Sequence, residues 1–373
     1  MRIVMLLSNG FAPDPRVAVE ALALKEAGHQ ITIFAWDRTG KLPPSENYEG
    51  IQIVRSRIQT MYSRGPLQIF KFRQFWKAAV CFLMEHPLDG IHCHDLDTLQ
   101  PGLKAGRKKK IPVIFDAHES YPDMVAHLFP GWLVSIIRKM EGSMVPRAAG
   151  VITVGEILAD HYREMKARQV VIVGNYKTVN STKPALPEEQ SPLKIIYVGG
   201  LNRDRLLAPV IQAVAGDFRY QFQIVGDGAE MPKLRELAGT NANIVFRGFL
   251  PQQQARKLIT ECHLVYYGID NRFANNQFSA PNLLFLALAS ARPILTTDVG
   301  EIAAIVRRHQ CGTILADLEV TTIQRALSGY LQGDLWQRQS EQSFQAATIR
   351  YNWDSAKQNL VNLYRRLERE VGT

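Results

Sequence analysis

The chain has 373 residues, of which 46% are hydrophobic and 21% are charged, and these proportions are typical of a globular protein. A chain of this length exceeds one ordinary hydrophobic core, so two domains are expected. The net charge of +9 and the pI of about 9.4 indicate an anionic partner. Because the sequence carries no nucleic-acid-binding motif, an anionic membrane or an anionic substrate ranks above a nucleic acid.

The cysteines and the apolar runs argue against several other classes of protein. The four cysteines are far apart and form no CxxC pair, which disfavours a disulfide framework or a zinc ribbon and is typical of a reducing compartment. No apolar run reaches the roughly 18 residues that a membrane-spanning helix needs. The first ten residues predict a strand that ends before a glycine, and not a signal peptide. We therefore expect a cytoplasmic protein, for which the inner face of the membrane is a candidate place of peripheral attachment.

The first residues have the pattern of a Rossmann-type unit. Residues 2–7 predict a strand, and Gly10 lies at the bend of the loop that follows. Asp14, followed by proline, predicts the start of a helix that ends at Gly28, and residues 29–36 predict the next strand. This order of elements, without a GxGxxG motif, predicts a Rossmann-like domain that lacks the dinucleotide fingerprint.

Further apolar runs continue this first domain to residue 175. Strands are predicted at 51–55, 90–94, 111–115, 150–154 and 170–173, and helical stretches at 61–86, 120–148 and 156–167. The stretch 61–86 mixes basic and aromatic side chains, and we interpret it as a core-facing helix whose basic part, 64–77, is the better candidate for membrane contact. Apolar residues within 120–148 fit an acceptor lip or a membrane contact.

Polar residues directly follow the predicted strand 111–115, in the sequence Asp116-Ala117-His118-Glu119. Open α/β sheets place their functional sites at the carboxyl ends of parallel strands. This cluster is therefore a candidate functional site that includes His118, and the alternative is a structural histidine at a strand end.

The segment GIHCHDLD at 90–97 leaves two metal-binding alternatives open. Strand alternation places His92 and His94 on one face, where both can ligate a metal, although such a site needs further ligands that the sequence does not identify. Asp95 and Asp97 form a DxD pair, which can hold a divalent metal on a nucleotide sugar. Neither pattern is specific.

A second Rossmann-like domain is predicted after a linker. Residues 176–193 are polar and proline-rich without periodicity, as expected of a linker. From Lys194 the chain again alternates strands and helices. The predicted strands are 194–198, 220–225, 244–247 and 264–267, and the predicted helices are 206–215, 230–238, 252–261, 321–333 and 354–368.

The stretch from Ser279 to Ile302, SAPNLLFLALASARPILTTDVGEI, predicts half of a parallel α/β unit. Ser279 is expected to N-cap a buried helix, and residues 293–297 read as a buried strand that is followed by Gly300 in a turn. The free N–H groups of the helix N-terminus at 279–282 suit a phosphate.

This stretch resembles the donor-site segment of GT-B glycosyltransferases, in the large retaining group usually called family 4. Members often read S/A-x-P-N-K-L-F-E, then P-V-I-x-T-D and a GEI-like turn. Other segments resemble the same family in the same order, and they are NGFAPDPRV, HCHDLDTLQPG, DAHE, the turn GDG and the segment GFLP. Each motif is weak or moderate alone, but the resemblance covers nearly the whole chain.

The resemblance implies an α/β fold with two Rossmann-like domains facing a cleft. The acceptor-side domain would be 1–175, with helix 354–373 packing back on it, and the donor domain would be 194–353. The implied reaction is transfer of a sugar, with retention, from a nucleotide-diphosphate sugar to a hydroxyl of a glycan, glycolipid or small molecule. It implies no metal and no cofactor other than the nucleotide sugar as co-substrate.

The resemblance also assigns roles to single residues. His118 would orient the reacting sugar or shield its developing positive charge. Donor-binding roles fall on Gly10, Arg203, Arg205, Gly226, Phe249, Ser279, Asn282 and Glu301. Among these, Arg205 matches one member of the family's basic pair for the diphosphate, and Arg203 is a substitute for the other.

The departures from the family pattern fall on polar contacts. The family lysine is Leu283, its two glutamates are Phe278 and Leu286, and one member of the basic pair is Gly200. A leucine at 286 would leave a ribose hydroxyl unpaired unless a neighbour or water reached it, which costs about 1–3 kcal/mol. Three explanations remain: an unusual donor, contacts moved to residues such as Glu301 or Asn282, or loss of catalysis. The second hypothesis is therefore a catalytically degenerate GT-B protein that acts as a binding or scaffold partner.

Overall fold

The structure, a computed structural model, describes residues 1–60, 66–185, 187 and 192–371. The chain divides into two compact units. Unit 1 comprises Met1–Gly174 together with Ala356–Thr373, and unit 2 comprises Asn175–Ser355. Each unit contains one mainly parallel sheet with helices, so the expected fold class, α/β with two Rossmann-like domains, is confirmed.

The sheet of unit 1 has the strand order β3-β4-β2-β1-β5-β6-β7-β8 in the described part of the chain. Its strands are β1 (Arg2–Leu7), β2 (Gln30–Trp36), β3 (Ser45–Tyr48), β4 (Ile51–Ser56), β5 (Gly90–His94), β6 (Val113–Ala117), β7 (Gly150–Thr153) and β8 (Val170–Ile172). Neighbouring strands run parallel, except that β3 pairs antiparallel with β4. The central strands β1, β5, β6 and β7 are almost wholly buried, as expected for a parallel sheet covered on both faces.

The helices of unit 1 include the first helix that the sequence predicts. They are α1 (Pro15–Glu26), α2 (Pro66–Glu85), α3 (Leu96–Lys109), α4 (Tyr121–Val125), α5 (Gly131–Met144), α6 (Glu156–Glu164) and most of α14 (Trp353–Val371). The Asp14 side chain accepts hydrogen bonds from the backbone N–H groups of Arg16 and Val17, which confirms the predicted N-cap of α1. Gly28 follows that helix with a φ of +94°, which a glycine adopts without strain.

The sheet of unit 2 is parallel throughout, with the strand order β11-β10-β9-β12-β13-β14. Its described strands are β9 (Leu193–Val198), β10 (Tyr220–Val225), β11 (Ile244–Gly248), β12 (Leu264–Tyr267), β13 (Ile294–Thr297) and β14 (Gly312–Leu315). Its described helices are α7 (Ala208–Val214), α8 (Met231–Ala238), α9 (Gln252–Glu261), α10 (Asn282–Ala289), α11 (Gly300–His309), α12 (Val320–Tyr330) and α13 (Leu335–Ile349).

The structure corrects the predicted start of α10. Ser279 is not its N-cap, because the helix begins at Asn282 and Pro281 occupies the cap position. A proline disfavours helical backbone at the residue before it, so Ala280 cannot open the helix that a cap at Ser279 would require. The predicted turn glycine is also displaced, since Gly300, with a φ of +56°, is the first residue of α11.

The structure also differs from the sequence-based predictions at other elements. Strand β6 ends at Ala117 and not at 115, so Asp116 lies inside the sheet. The sequence analysis did not predict the short polar strand β3, the strand β14 or the helices α3, α11 and α13. Residues 61–65, part of the predicted helical stretch 61–86, lie outside the described residues.

Candidate active site

In unit 1 the polar candidates meet at one point of the sheet. Strand β1 lies between β2 and β5 in the sheet. The chain continues from β1 to β2 on one side of β1 and later returns to β5 on its other side, so the order of the strands reverses at β1. In open α/β sheets such a switch point forms a crevice at the carboxyl ends of the strands, where ligands bind. The loop after β1, Asp95 after β5 and His118 after β6 all lie at these carboxyl ends.

The His118 ring lies between two carboxylates. Its Nε2 is 3.0 Å from Oδ2 of Asp116, and its Nδ1 is 3.4 Å from Oδ1 of Asp95. The His118 side chain is 23% exposed, whereas Asp116 is fully buried. The buried carboxylate of Asp116 therefore holds the ring on its inner side, and part of the ring stays exposed to solvent.

The two carboxylates determine the charge of this histidine. Burial alone would lower the pKa of His118, but the negative charges of Asp95 and Asp116 outweigh it and raise the pKa to about 9. His118 is therefore an imidazolium at neutral pH, with both N–H groups turned toward carboxylates. A histidine in this state donates hydrogen bonds and cannot accept a proton.

Beneath His118 lies a buried cluster of charged groups, which the sequence analysis did not identify. Burial would raise the pKa of Asp116, but Arg16 and His118 lower it well below its ordinary value. The Arg16 guanidinium lies 2.8 Å from Oδ1 of Asp116 and 3.0 Å from Oε1 of Glu20. Burial raises the pKa of Glu20 to about 8, so this carboxyl keeps its proton more readily than an exposed one. Arg16 thus compensates the charge of a carboxylate that lies inside the sheet.

His92 and His94 complete the cluster as neutral rings. Burial lowers the pKa of both, that of His94 to about 3. The two rings stack with their centroids 4.3 Å apart. Nδ1 of His94 lies 3.0 Å from Oδ2 of Asp116, and Nδ1 of His92 lies 2.9 Å from the hydroxyl of Tyr364 on α14. Neither ring is free to rotate without loss of a buried contact.

The structure supplies the further metal ligands that the sequence did not identify. Glu20 and Asp116 join His92 and His94, and each of the four offers a buried ligand atom within 4.8 Å of the others. The carboxylates, however, already contact Arg16, and Asp116 also contacts His92, His94 and His118. A divalent cation would lie beside the guanidinium and repel it, so this arrangement favours a hydrogen-bonded cluster over a ligand set.

The residue that faces His118 from β5 is held in an unusual backbone conformation. Asp95 has a φ of +62°, in the left-handed region, and its backbone N–H donates to the carbonyl of Asp116 at 2.9 Å. Non-glycine residues in this region cost free energy and are concentrated at functional sites. Asp95 is 38% exposed and is one half of the DxD pair, so it is the acidic group of this cluster that a ligand can reach.

Gly10, the remaining candidate in unit 1, lies in the loop after β1. Its carbonyl accepts a hydrogen bond of 2.7 Å from Nε of Arg55. A Cβ at this position would lie 2.7 Å from the end of the Leu42 side chain, which is a flexible neighbour. The structure places the other donor-binding candidates in unit 2.

In unit 2 the strand ends form a second switch point, between β9 and β12. The turns after β9 and β10 pack backbone against backbone there. A Cβ on Gly226, which has a φ of +136°, would lie 1.9 Å from the carbonyl oxygen of Gly199. Only glycine fits at 226, so this candidate shapes the site by letting two turns approach each other.

The two basic candidates on the turn after β9 differ in their surroundings. The Arg205 side chain is 18% exposed, lies 2.5 Å from a carboxylate oxygen of Asp204, and stacks over the ring of Tyr267 at 5.2 Å. The Arg203 side chain is largely exposed, and its contact with Glu230 is long, at 3.9 Å. Arg205 is thus held in place, whereas Arg203 is free to move toward a ligand.

The other candidates in unit 2 fall into exposed and buried groups. Phe249, directly after β11, is 80% exposed, as expected of an aromatic surface that can receive a base. Asn282 is exposed and accepts a hydrogen bond of 2.6 Å from Nζ of Lys177, whose pKa is lowered to about 8 by burial. Ser279 is half-buried, and Glu301 is buried near the start of α11.

The apolar departures Leu283 and Leu286 are both buried along α10. They therefore contribute to the core of unit 2, and a carboxylate at 286 would need a polar partner at that place. The two leucines explain the stability of this helix in its apolar surroundings, but they supply no hydrogen bond to a ligand.

Unit 1 also presents an exposed apolar stripe, on α5. Trp132, Ile136 and Met140 are exposed and lie four residues apart, so they share one face of the helix. The exposed residues Arg138 and Lys139 lie on the same helix. Among the described residues, no helix combines the length and the apolar character that crossing a membrane requires.

The chain thus contains two α/β units, each with polar candidates at a switch point of its sheet. Family models match both parts of the chain. The model of a glycosyl transferase 4-like domain matches residues 13–175, and that of the glycosyl transferases group 1 matches residues 192–332. The chain belongs to the GT-B glycosyltransferases of the family 4 type, which confirms the resemblance seen in its sequence.

Known proteins extend this relationship. The chain is 24% identical over 328 residues to the alpha-monoglucosyldiacylglycerol synthase of Streptococcus pneumoniae, covering 79% of this chain and 70% of the relative. Its fold matches sucrose-phosphate synthase from Thermosynechococcus elongatus with a TM-score of 0.78 at 14% identity, over 99% of this chain and 100% of that one. It also matches HepE from Anabaena in complex with UDP-glucose, with a TM-score of 0.70 at 12% identity, over 98% and 100% of the chains.

Proposed function

We propose that this glycosyltransferase transfers a sugar, with retention of configuration, from a nucleoside-diphosphate sugar to a hydroxyl acceptor. The observation that carries the donor side of the proposal is the polar crevice at the β9–β12 switch point, with Arg205 held beside it. The solved complex of HepE with UDP-glucose, which shares the fold, supports a donor of this class. The proposed reaction uses no metal and no other cofactor.

The chemistry requires stabilisation of the leaving group. As the bond between sugar and diphosphate breaks, the diphosphate gains negative charge and the sugar gains positive charge. Fixed cations and helix N-termini aimed at the diphosphate stabilise this state more than the ground state. In this chain Arg205, Arg203 and the N-terminus of α10 at Asn282 are the groups proposed for that role.

His118 is proposed to orient the sugar through its Nδ1–H, which faces the exposed carboxylate of Asp95 at 3.4 Å and can turn to a sugar hydroxyl when the donor binds. Its charged ring would repel a cationic sugar, so of the two roles that the resemblance implies, orientation is the one that the geometry supports. Asp95 pairs with the same ring and is exposed enough to accept a hydrogen bond from a sugar hydroxyl. Together the two residues present one donor and one acceptor at the carboxyl end of the unit 1 sheet.

Replacing Arg205 by alanine is expected to weaken nucleoside-diphosphate binding about tenfold or more, because a charge-assisted hydrogen bond to phosphate contributes about 1.5–3 kcal/mol. Isothermal titration calorimetry with UDP, GDP, ADP and CMP measures the effect and identifies the base. Arg219→Ala, an exposed arginine on another turn of unit 2, is the control. If the folded wild-type protein binds none of the four nucleotides, the donor assignment is wrong.

The alternative, a degenerate protein that binds or scaffolds, is favoured by the apolar residues at 278 and 286. Turnover separates the two hypotheses, since a scaffold would bind a nucleotide without releasing it from a sugar. The protein is incubated with a nucleotide sugar that carries the base of the nucleotide that binds. NMR of the anomeric proton of the product then tests both transfer and retention. An inverted anomer would contradict the proposed stereochemistry.

We also propose that unit 1 contacts an anionic membrane surface through the α5 stripe. Trp132, Ile136 and Met140 supply the apolar face, and the exposed Lys139, which lies close to that face, matches negatively charged headgroups. The relative named alpha-monoglucosyldiacylglycerol synthase carries a glycolipid in its name, which supports a lipid-linked acceptor for this chain.

Trp132→Ser is expected to weaken binding to vesicles that contain phosphatidylglycerol about 30-fold, because it removes about 2 kcal/mol of apolar burial. Co-sedimentation measures the bound fraction, with pure phosphatidylcholine vesicles as the uncharged comparison. Phe218→Ser is the matched control, since Phe218 is an equally exposed aromatic residue of unit 2. Equal binding by both variants and the wild type would contradict the proposed contact.

A further inference from the structure

A cavity of about 460 Å³ opens beside the turn that carries the basic candidates of unit 2. Its lining residues are Arg203, Glu230, Lys233, Arg272 and Phe273. They come from the segments that follow β9, β10 and β12. The cavity thus lies at the carboxyl ends of these strands, at the switch point where an open α/β sheet binds its ligand.

Two of the lining segments are joined by backbone hydrogen bonds. The N–H of Leu206 donates to the carbonyl of Gly268 at 3.1 Å, and the N–H of Asp270 donates to the carbonyl of Asp204 at 3.1 Å. The loop after β12 therefore runs along the turn after β9. This contact brings Arg272, a residue that the sequence analysis did not select, to the same cavity as Arg203.

The cavity carries excess positive charge. Three cations line it, and Glu230 is shared between two of them, 3.9 Å from Arg203 and 3.3 Å from Lys233. The third, Arg272, is paired with the buried carboxylate of Asp270. Three positive and two negative groups leave a surplus of one positive charge. Because Arg203 and Lys233 share the single carboxylate of Glu230, a ligand with more negative charge can replace it.

Arg272 is held in place and still has donors available. Its Nε and Nη2 lie 3.0 and 2.6 Å from the two carboxylate oxygens of Asp270. This fork fixes the guanidinium plane, while 80% of the side chain remains exposed and Nη1 is left for a ligand. A fixed guanidinium of this kind suits the planar arrangement of phosphate oxygens.

We propose that Arg272, together with Arg203 and Lys233, binds the diphosphate group of the donor. The inference rests on the proposed function, because it assigns additional residues to the donor site. Gly200, on the turn after β9, has no side chain that can contact a phosphate. The positive charge for the phosphate oxygens near this turn therefore comes from Arg272, on the loop after β12. Glu230 releases Arg203 and Lys233 when the diphosphate enters, since a dianion outcompetes one carboxylate.

The chain contains a matched control for this proposal. Arg219 forms the same fork with the carboxylate two residues earlier, with its Nε and Nη2 3.0 and 2.6 Å from the oxygens of Asp217. It is exposed and belongs to the same unit, but it does not line the cavity. Arg272→Gln and Arg219→Gln therefore remove the same charge and the same local ion pair.

Calorimetric titration with UDP, GDP, ADP and inorganic pyrophosphate tests the proposal. Arg272→Gln is expected to weaken binding of pyrophosphate and of the preferred nucleotide about tenfold, and Arg219→Gln is expected to leave both unchanged. Arg272→Lys, which keeps the charge but not the fork, is expected to fall between Arg272→Gln and the wild type. Circular dichroism confirms that each variant is folded.

The outcomes separate this inference from the proposed function. If a nucleotide binds the wild type and Arg272→Gln behaves like Arg219→Gln, the role of Arg272 is wrong and the donor site stands. If no nucleotide binds but pyrophosphate binds and is weakened by Arg272→Gln, the anion cavity stands and the donor assignment fails. If neither probe binds the folded wild type, both are overturned.

Discussion

Replacing Arg16 by methionine is expected to lower the stability of unit 1 by about 3–5 kcal/mol, the loss observed when one partner of a buried ion pair is removed. Arg16 is the guanidinium that contacts both Asp116 and Glu20, and both of these side chains are fully buried. Methionine fills a similar volume but leaves the Asp116 carboxylate without its strongest counter-charge. The amide protons of β1, β5 and β6 would then exchange with solvent several hundredfold faster or more.

Hydrogen exchange measured by mass spectrometry checks this result and reports on unit 1 separately from unit 2. Arg163→Met is the control, because Arg163 forms an exposed ion pair with Asp160 on α6. Exposed pairs contribute only about 0–1 kcal/mol, so exchange in β1, β5 and β6 should hardly change. Adding Asp116→Asn to Arg16→Met should recover part of the lost protection, because it removes the buried charge that Arg16 compensates. Equal protection in Arg16→Met and Arg163→Met would show that the cluster does not depend on Arg16.

Asp116→Asn is expected to lower kcat about 100-fold at pH 8, the size of effect seen when a fixed donor of an active site is lost. The two carboxylates raise the pKa of His118 to about 9 against the effect of burial. Without the Asp116 charge, burial and Arg16 act against Asp95 alone, so the pKa falls toward or below the ordinary value of about 6.5. At pH 8 the wild-type ring is protonated and the variant ring is neutral.

The pH dependence provides the test of this prediction. Wild-type kcat should hold as the pH rises from 6.5 and fall near pH 9, where His118 loses its proton. In Asp116→Asn the same fall should begin near pH 6 to 7, and the NMR titration of the His118 ring should shift with it. Asp89→Asn, at an exposed pair with Arg2, should leave the profile unchanged. An unshifted titration in Asp116→Asn would show that Asp116 does not set the charge of His118.

The same proton links activity to stability. The pKa of His118 is higher in the folded protein than in the unfolded chain, so its contribution to stability is fully present below about pH 6.5. That contribution is lost as the pH rises through 9. The form of unit 1 that carries the imidazolium is therefore also its more stable form.

Much of the fold follows from local patterns in the sequence. Apolar runs bounded by glycines and prolines predicted the central strands of both sheets, and Asp14 with its proline predicted the start of α1. Local patterns failed where a polar residue sits inside a strand. Asp116 was interpreted as the end of β6 because a carboxylate normally ends a buried strand, but Arg16, one hundred residues earlier, compensates its charge.

The candidate site shows the same limit. The motif DAHE pointed to His118, but the two carboxylates that determine its charge lie on different strands, and no local signal joins Asp95 to His118. Arg272 belongs to a polar loop with no motif, and only the backbone contact between the loops after β9 and β12 reveals its place.

The path of α14 has a consequence for how unit 1 is made. Trp353–Ser355 belong to unit 2, whereas residues from Ala356 onward belong to unit 1, where Tyr364 binds His92 under the candidate site and Lys357 contacts Glu26 on α1. The ribosome therefore synthesises the whole of unit 2 before it adds the part of α14 that belongs to unit 1. During synthesis the contact between Tyr364 and His92 cannot form until unit 2 has been made, so a chain interrupted between the two units would lack both unit 2 and the helix that packs on unit 1.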